Sequence, residues 1–185
     1  MDELYIEKVL DGDIDAYKYF VRKYKDMAFT LAVSVLKSEF DATDAVQEAF
    51  IIAFRKLRSF KGNSKFSTWF CRIVINEALK LAKNREREPY EFREFPDVSM
   101  EDIPQSLASM KEEQQKYFIG LALQKIPSNE ALALNLFYLE EYSVEEVSDL
   151  TGWSVSNVKV ILFRARKRMY GELSKILKKE KKLLY

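Results

Sequence analysis

Apolar residues recur along almost the whole chain at steps of three and four, the spacing of one face of an α-helix. Val46, Phe50, Phe54 and Leu57 follow one another at steps of four, four and three, which predicts a helix beginning at Asp41 with these residues turned inward. A different face of that helix carries Asp44, Gln47, Glu48 and Ile51. Ser67 is placed to cap a further helix, along which Trp69, Arg72, Asn76, Lys80 and Lys83 form a polar, basic stripe. Toward the C-terminus two short helices are predicted in tandem. Ser143-Val144-Glu145-Glu146 is a capping box, Val147 and Leu150 give the buried face, and Gly152 permits the left-handed backbone that ends the first helix. Ser154 caps the second, whose apolar positions are Val155, Val158, Ile161, Leu162, Ala165 and Met169. Two capped helices joined by a three-residue turn containing glycine predict a helix-turn-helix.

Only five glycines and four prolines occur among 185 residues, so the predicted fold class is all-α. Three of the prolines, Pro89, Pro96 and Pro104, fall within Pro89–Met110, together with one base, Arg93, and five acids. Proline removes a backbone donor and disfavours helix in the residue before it. This segment is therefore predicted to be an extended acidic linker (89–110), with room for a short helix at the capping signal Ser99 to Asp102. It joins two small helical domains, 1–88 and 111–185, the second being the helix-turn-helix domain.

Composition narrows the chemistry. With no histidine and one cysteine, Cys71, the chain holds no histidine-based acid–base pair, no zinc site and no intramolecular disulfide. It also lacks a Gly-rich phosphate loop and a nucleophile motif. The expectation is a protein that is not an enzyme, with no cofactor, no metal and no small-molecule substrate. Its apolar runs are short and broken by charge, and the acidic start Met1-Asp2-Glu3-Leu4 is unlike a signal peptide, so a cytoplasmic location is expected.

The near-zero net charge of +1 conceals a repeated segregation. Residues 1–54 carry six bases against eleven acids, whereas 55–87 carry ten bases against Glu77 and Glu86. Residues 111–153 carry three bases against eight acids, and 154–182 carry ten against Glu172 and Glu180. Each half thus has an acidic front and a basic back, suited to a polyanion on one surface and another partner on the other. In the helix-turn-helix the second helix enters a DNA major groove. Its outward residues are Ser156, Asn157, Lys159, Val160, Phe163 and Arg164. Lys159 and Arg164 can donate to guanine, Ser156 and Asn157 offer mixed hydrogen bonds, and Phe163 can touch a thymine methyl. Arg166, Lys167 and Arg168 are placed for phosphates, and the Lys175–Lys182 tail is expected to be solvated.

In the first half, Phe60-Lys61-Gly62-Asn63-Ser64-Lys65-Phe66 combines aromatics, bases and a glycine, the ingredients for holding an unstacked nucleotide. Two readings of Phe66 and Trp69 stand side by side: base platforms, or core residues beneath the loop. Two readings likewise stand for Asp44 and Glu48: a contact face, or carboxylates favoured by the positive end of the helix dipole.

Asp44-Ala45-Val46-Gln47-Glu48-Ala49-Phe50, Phe60-Lys61-Gly62, Phe66-Ser67-Thr68-Trp69 and Asn76 resemble the second conserved region of extracytoplasmic function (ECF) sigma factors. Tyr142–Val147, Val155–Lys159 and Arg164–Arg168 resemble their fourth region, so the likeness covers nearly all the chain outside the linker. Phe54 stands where the family often has tryptophan, and Lys80 where an acidic residue is common. The resemblance implies a subunit that binds core RNA polymerase and directs promoter-specific initiation. It assigns Asp44, Gln47, Glu48 and Phe50 to the polymerase contact, although periodicity turns Phe50 inward. It assigns Lys61, Gly62, Asn63, Ser64, Lys65 and Phe66 to capture of a flipped base in the melted −10 element, with Arg72, Asn76 and Lys80 as further contacts. It assigns Ser156, Asn157, Lys159, Val160, Phe163 and Arg164 to the duplex −35 element. It further implies a linker threading the polymerase cleft, an anti-sigma partner, and a monomer when free. The alternative from the residues alone is a helix-turn-helix regulator acting without polymerase, which leaves the acidic face around Asp44 unexplained.

Overall fold

The computed structural model describes residues 1–83 and 110–183, with side chains described as far as residue 180. The predicted linker and the capping signal at Ser99 lie outside the described residues. The chain divides into two compact units, one of residues 1–87 with 149–152 and the other of residues 88–148 with 153–185. Every regular element among the described residues is helical, as the three- and four-residue periodicity predicts.

The N-terminal unit contains α1 (Asp2–Leu10), a 3₁₀ turn (Ile14–Tyr17), α2 (Lys18–Leu36), α3 (Glu39–Lys56), a second 3₁₀ turn (Leu57–Ser59) and α4 (Phe66–Lys83). Helices α2, α3 and α4 pack on one another in all three pairings. The close approach of α3 follows from its inward face, where Ala42, Ala45, Ala49 and Ala53 are wholly buried and leave space for the aromatic residues of α2 and α4. Phe20 and Phe70 fill that space and are completely enclosed. Helix α2 ends at Lys37 in a left-handed conformation (φ 57°), its N–H donating to the Val33 carbonyl.

Two boundaries differ from the sequence expectation. Helix α3 begins at Glu39 rather than Asp41, because Ser38 is its cap and accepts from the Asp41 N–H at 3.3 Å. Helix α4 begins at Phe66, so Ser67 lies inside its first turn and not ahead of it. The inward stripe of α3 also drifts: Val46, Phe50 and Leu57 are buried, but Phe54 is 37% exposed. An α-helix advances 3.6 residues per turn, so two successive four-residue steps carry Phe54 toward the edge of the buried face, and the three-residue step to Leu57 brings the row back.

From residue 110 onward the described chain contains α5 (Glu112–Lys125), α6 (Ser128–Leu134) running into a π-helical turn (Asn135–Leu139), α7 (Val144–Thr151) and α8 (Val155–Leu183). Both α5 and α6 pack on α8. The helix-turn-helix is built as the sequence predicts. The Glu146 N–H donates to Ser143 Oγ at 3.2 Å, while Glu146 Oε2 accepts from the Ser143 N–H at 2.8 Å. Gly152 adopts φ 75°, and Ser154 Oγ accepts from the Asn157 N–H at 3.3 Å. Val147, Leu150, Val158, Ile161, Leu162 and Ala165 are buried. The basic C-terminal stretch is more than a solvated tail. Leu173 and Leu177 of α8 are buried against Phe118 and Ala122 of α5, while Lys175 pairs with Glu172 at 2.7 Å.

Candidate nucleic-acid and partner interfaces

Three surfaces carry the residues singled out above. The first is the outer side of α8 in its first three turns, where Ser156, Asn157, Lys159, Val160, Phe163 and Arg164 are all exposed. Val160 and Phe163 are 44% and 54% exposed, a large apolar outlay on a helix otherwise rich in bases. Lys167 places its ammonium 4.6 Å from the Phe163 ring centroid, a cation–π contact that orients both groups along the helix surface.

The arginines that follow divide in a way the sequence does not announce. Arg168, expected to meet phosphate, is instead buried, and its Nε lies 3.4 Å from Oε2 of Glu130 on α6, itself 4% exposed. Arg166 is half-buried and donates to the Tyr138 hydroxyl of the π-helical turn at 3.2 Å. Arg168 is therefore corrected from a phosphate contact to a group that anchors α8 on α6, Arg166 ties α8 to the π-helical extension, and Arg164 keeps its exposure. Burial pushes the Glu130 carboxyl above its ordinary value, against the opposing pull of Arg168 and Arg164.

The second surface is the segment between the 3₁₀ turn at Leu57–Ser59 and α4. Lys61, Gly62, Asn63, Ser64 and Lys65 are exposed, and Gly62 takes φ 70°, a conformation that side chains other than glycine adopt rarely. Phe66 is not on this surface. It is 2% exposed, and its ring meets those of Phe20 (4.3 Å between centroids), Tyr24 (5.4 Å), Trp69 (5.5 Å), Phe70 (5.9 Å) and Phe60 (6.0 Å). Of the two readings of Phe66, the structure supports the core one. Phe60, Phe66 and Trp69 form a closed aromatic group that holds the loop's two ends together, with Phe60 and Trp69 5.1 Å apart. On α4, Arg72, Asn76 and Lys80 are exposed, and Lys80 pairs with Glu77 at 3.1 Å.

The third surface is the outer face of α3. Asp44, Gln47 and Glu48 are exposed, together with Ile51 at 44%. Phe50 does not belong to it: the ring is 8% exposed and tilts against Phe70 at 4.5 Å, so its place is in the core, as periodicity indicates. Two further residues do belong: Phe40, which the sequence pattern did not single out, and Phe54, which periodicity turned inward. Phe40 is 77% exposed one turn before Asp44, and Phe54 is half-exposed one turn after Ile51. Together they flank the carboxylates with apolar surface. The signal for Phe40 was an aromatic beside a cap, outside the helical register used to sort inward from outward positions.

Among the described residues no group of histidine, cysteine and carboxylate side chains is placed to hold a metal ion, and no helix is long and apolar enough to cross a membrane.

Comparison with known proteins bears on all three surfaces. The sigma-70 region 2 family matches residues 20–88, and sigma-70 region 4 matches residues 119–169. The RNA polymerase sigma-H factor of Pseudomonas aeruginosa is 31% identical over 96% of each chain. The ECF RNA polymerase sigma-E factor of Escherichia coli K12 is 28% identical, covering 96% of this chain and 97% of that one. Two solved structures share the fold. One is CnrH in complex with the cytosolic domain of CnrY (TM-score 0.59, 22% identity, 96% and 97% of the two chains). The other is the sigma factor RpoE in complex with the anti-sigma factor NepR from Bartonella quintana (TM-score 0.60, 18% identity, 85% and 96%). With both regions matched in order and a full-length relative above 30% identity, the chain belongs to the ECF sigma factors of the sigma-70 family.

Proposed function

We propose that this sigma factor, which directs core RNA polymerase to promoters, divides that work among its three surfaces. The outer face of α3 binds core polymerase through Asp44, Gln47 and Glu48, with Phe40, Ile51 and Phe54 as the apolar border. The loop Lys61–Lys65 takes up an unpaired base of the −10 element, and Arg72, Asn76 and Lys80 meet the adjoining strand. The exposed side of α8, from Ser156 to Arg164, reads the −35 element in the major groove. Residues 89–110 connect the two units along the polymerase cleft. The carrying observation is that both matched regions expose their polar candidates, while in the first region the aromatic ones, Phe50 and Phe66, sit beneath as support. Catalysis belongs to the polymerase, and the protein acts in the cytoplasm. Since two solved relatives are complexed, one with an anti-sigma factor, an anti-sigma partner for this chain is part of the proposal.

Reconstitution with core polymerase tests the whole reading. A promoter-dependent transcript is expected, whereas tight promoter binding by the free protein with no transcript would favour a regulator acting alone. Two substitutions separate the surfaces. Asp44→Lys reverses a charge at the centre of the α3 face and is expected to abolish core binding in a fluorescence anisotropy titration, with affinity for −35 duplex retained. Arg164→Ala is expected to weaken binding by about 1–3 kcal/mol at one base pair of the −35 element. A uniform loss across all sequences would place Arg164 on phosphate instead.

A further inference from the structure

The region 2 match begins at residue 20, which leaves α1 and the 3₁₀ turn after it without an assigned part. Side chains nevertheless tie α1 firmly to α2. Asp2 Oδ1 accepts from the Tyr19 hydroxyl at 2.7 Å and from the Lys23 ammonium at 2.5 Å, and Asp2 Oδ2 accepts from the Tyr24 hydroxyl at 2.5 Å. Burial pushes the Asp2 carboxyl up, but the hydrogen bonds from Lys23, Tyr24 and Tyr19 outweigh it and hold the group below the ordinary carboxylate value. One turn further on, Tyr5 stacks on Tyr19 with centroids 3.9 Å apart and planes within 4°, and Ile6 is buried.

Two routes lead from this junction to the loop Lys61–Lys65. Helix α1 packs against the 3₁₀ turn Leu57–Ser59, and the next residue, Phe60, is the loop's entry. Tyr24, whose hydroxyl Asp2 holds, sets its ring 5.4 Å from Phe66 at the loop's exit. Both stems of the loop therefore rest on structure that α1 completes. Within the loop, by contrast, the Ser64 hydroxyl reaches only the neighbouring Lys65 carbonyl, at 3.4 Å. An exposed loop of this kind loses conformational freedom when it grips a ligand, and stems held in place reduce that loss.

We infer that α1 is the buttress of the strand-capturing loop and that Asp2 is the positioning residue that docks it, an inference that rests on the loop's proposed part in taking up a −10 base. The test uses the full chain in complex with core polymerase. Its probe is a fluorescent single strand carrying the −10 sequence of a promoter selected from randomised DNA by the wild-type holoenzyme. Asp2→Asn keeps the shape and removes the charge, and Tyr24→Phe keeps the ring and removes the hydroxyl. Each is expected to weaken strand binding about tenfold, the worth of a hydrogen bond to a charged group, well below the melting temperature. The double variant is expected to lose little more than either alone, because both act through one contact. Affinities for core polymerase and for −35 duplex are expected to hold. Unchanged strand affinity in both variants, with a lowered melting temperature, would reduce Asp2 to a stabilising residue and overturn the inference. An equal loss of all three affinities would overturn it as well. Failure of the wild-type holoenzyme to bind the strand would overturn the loop's role itself, and the buttress with it.

Discussion

Glu130→Ala is expected to lower the stability of the C-terminal unit by about 3–5 kcal/mol, the usual consequence of removing one partner from a buried ion pair. Glu130 and Arg168 are 4% and 6% exposed, and Arg168 Nε lies 3.4 Å from Glu130 Oε2. Alanine leaves a guanidinium charge in the interior without its counter-charge. The pair is not a large net gain in itself, since burial raises the Glu130 carboxyl in spite of Arg168 and Arg164. Glu130→Leu combined with Arg168→Met is therefore expected to recover most of the loss. The pH dependence follows from the same balance. A carboxyl that holds its proton more tightly when folded adds stability at low pH. That contribution is lost as pH rises from the ordinary value of 4.5 through the raised one, and Glu130→Gln removes the slope. The two tryptophans lie in different units, so Trp69→Phe leaves Trp153 as the reporter in urea denaturation. In Glu130→Ala, −35 binding is expected to fall while core binding through α3 persists. An unchanged midpoint would mean that water reaches the pair.

Phe66→Ala is expected to cost the N-terminal unit about 3–5 kcal/mol, because it removes the ring on which five others close. Phe66→Leu keeps the apolar bulk and gives up the π-face. If Phe66 supports the loop from below, the leucine variant retains promoter opening, read as permanganate reactivity of melted thymines, and retains most of the stability. A base platform predicts the reverse: opening lost and stability little changed. Trp153→Phe leaves Trp69 to follow the unfolding of this unit, and the two measurements on one variant separate the roles.

The helix-turn-helix was legible almost residue by residue because its signals are local. Ser143 and Glu146 satisfy each other across three positions, Ser154 caps within three, and Gly152 ends a helix by itself. The exposed side of α8 and the polar positions Asp44, Gln47 and Glu48 of α3 followed from helical period alone. What escaped the sequence was set by contacts between residues distant along the chain. Arg168 looks like its neighbours in a basic run, and only the packing of α6 on α8 puts Glu130 beside it. Phe66 and Phe60 share a motif with lysines and a glycine, yet Phe20 and Tyr24 from α2 decide that Phe66 is interior. Phe54 shows the limit of periodicity itself: two four-residue steps from Val46 carry it to the edge of the buried face, and the three-residue step to Leu57 returns to the core.

The 29 residues of α8 form one rod about 44 Å long, so its two ends cannot be adjusted separately. Its first turns present the face proposed to read the −35 element, and its later turns, at Leu173 and Leu177, lie against α5. A tilt of about 5° about Leu173 would displace Asn157 by roughly 2 Å, comparable with the tolerance of a hydrogen bond to a base edge. Whatever shifts α5 by a fraction of a side chain thus changes the gearing of sequence recognition a helix-length away. Substitutions at Phe118 or Ala122, remote from any base, are the place to look for altered promoter choice.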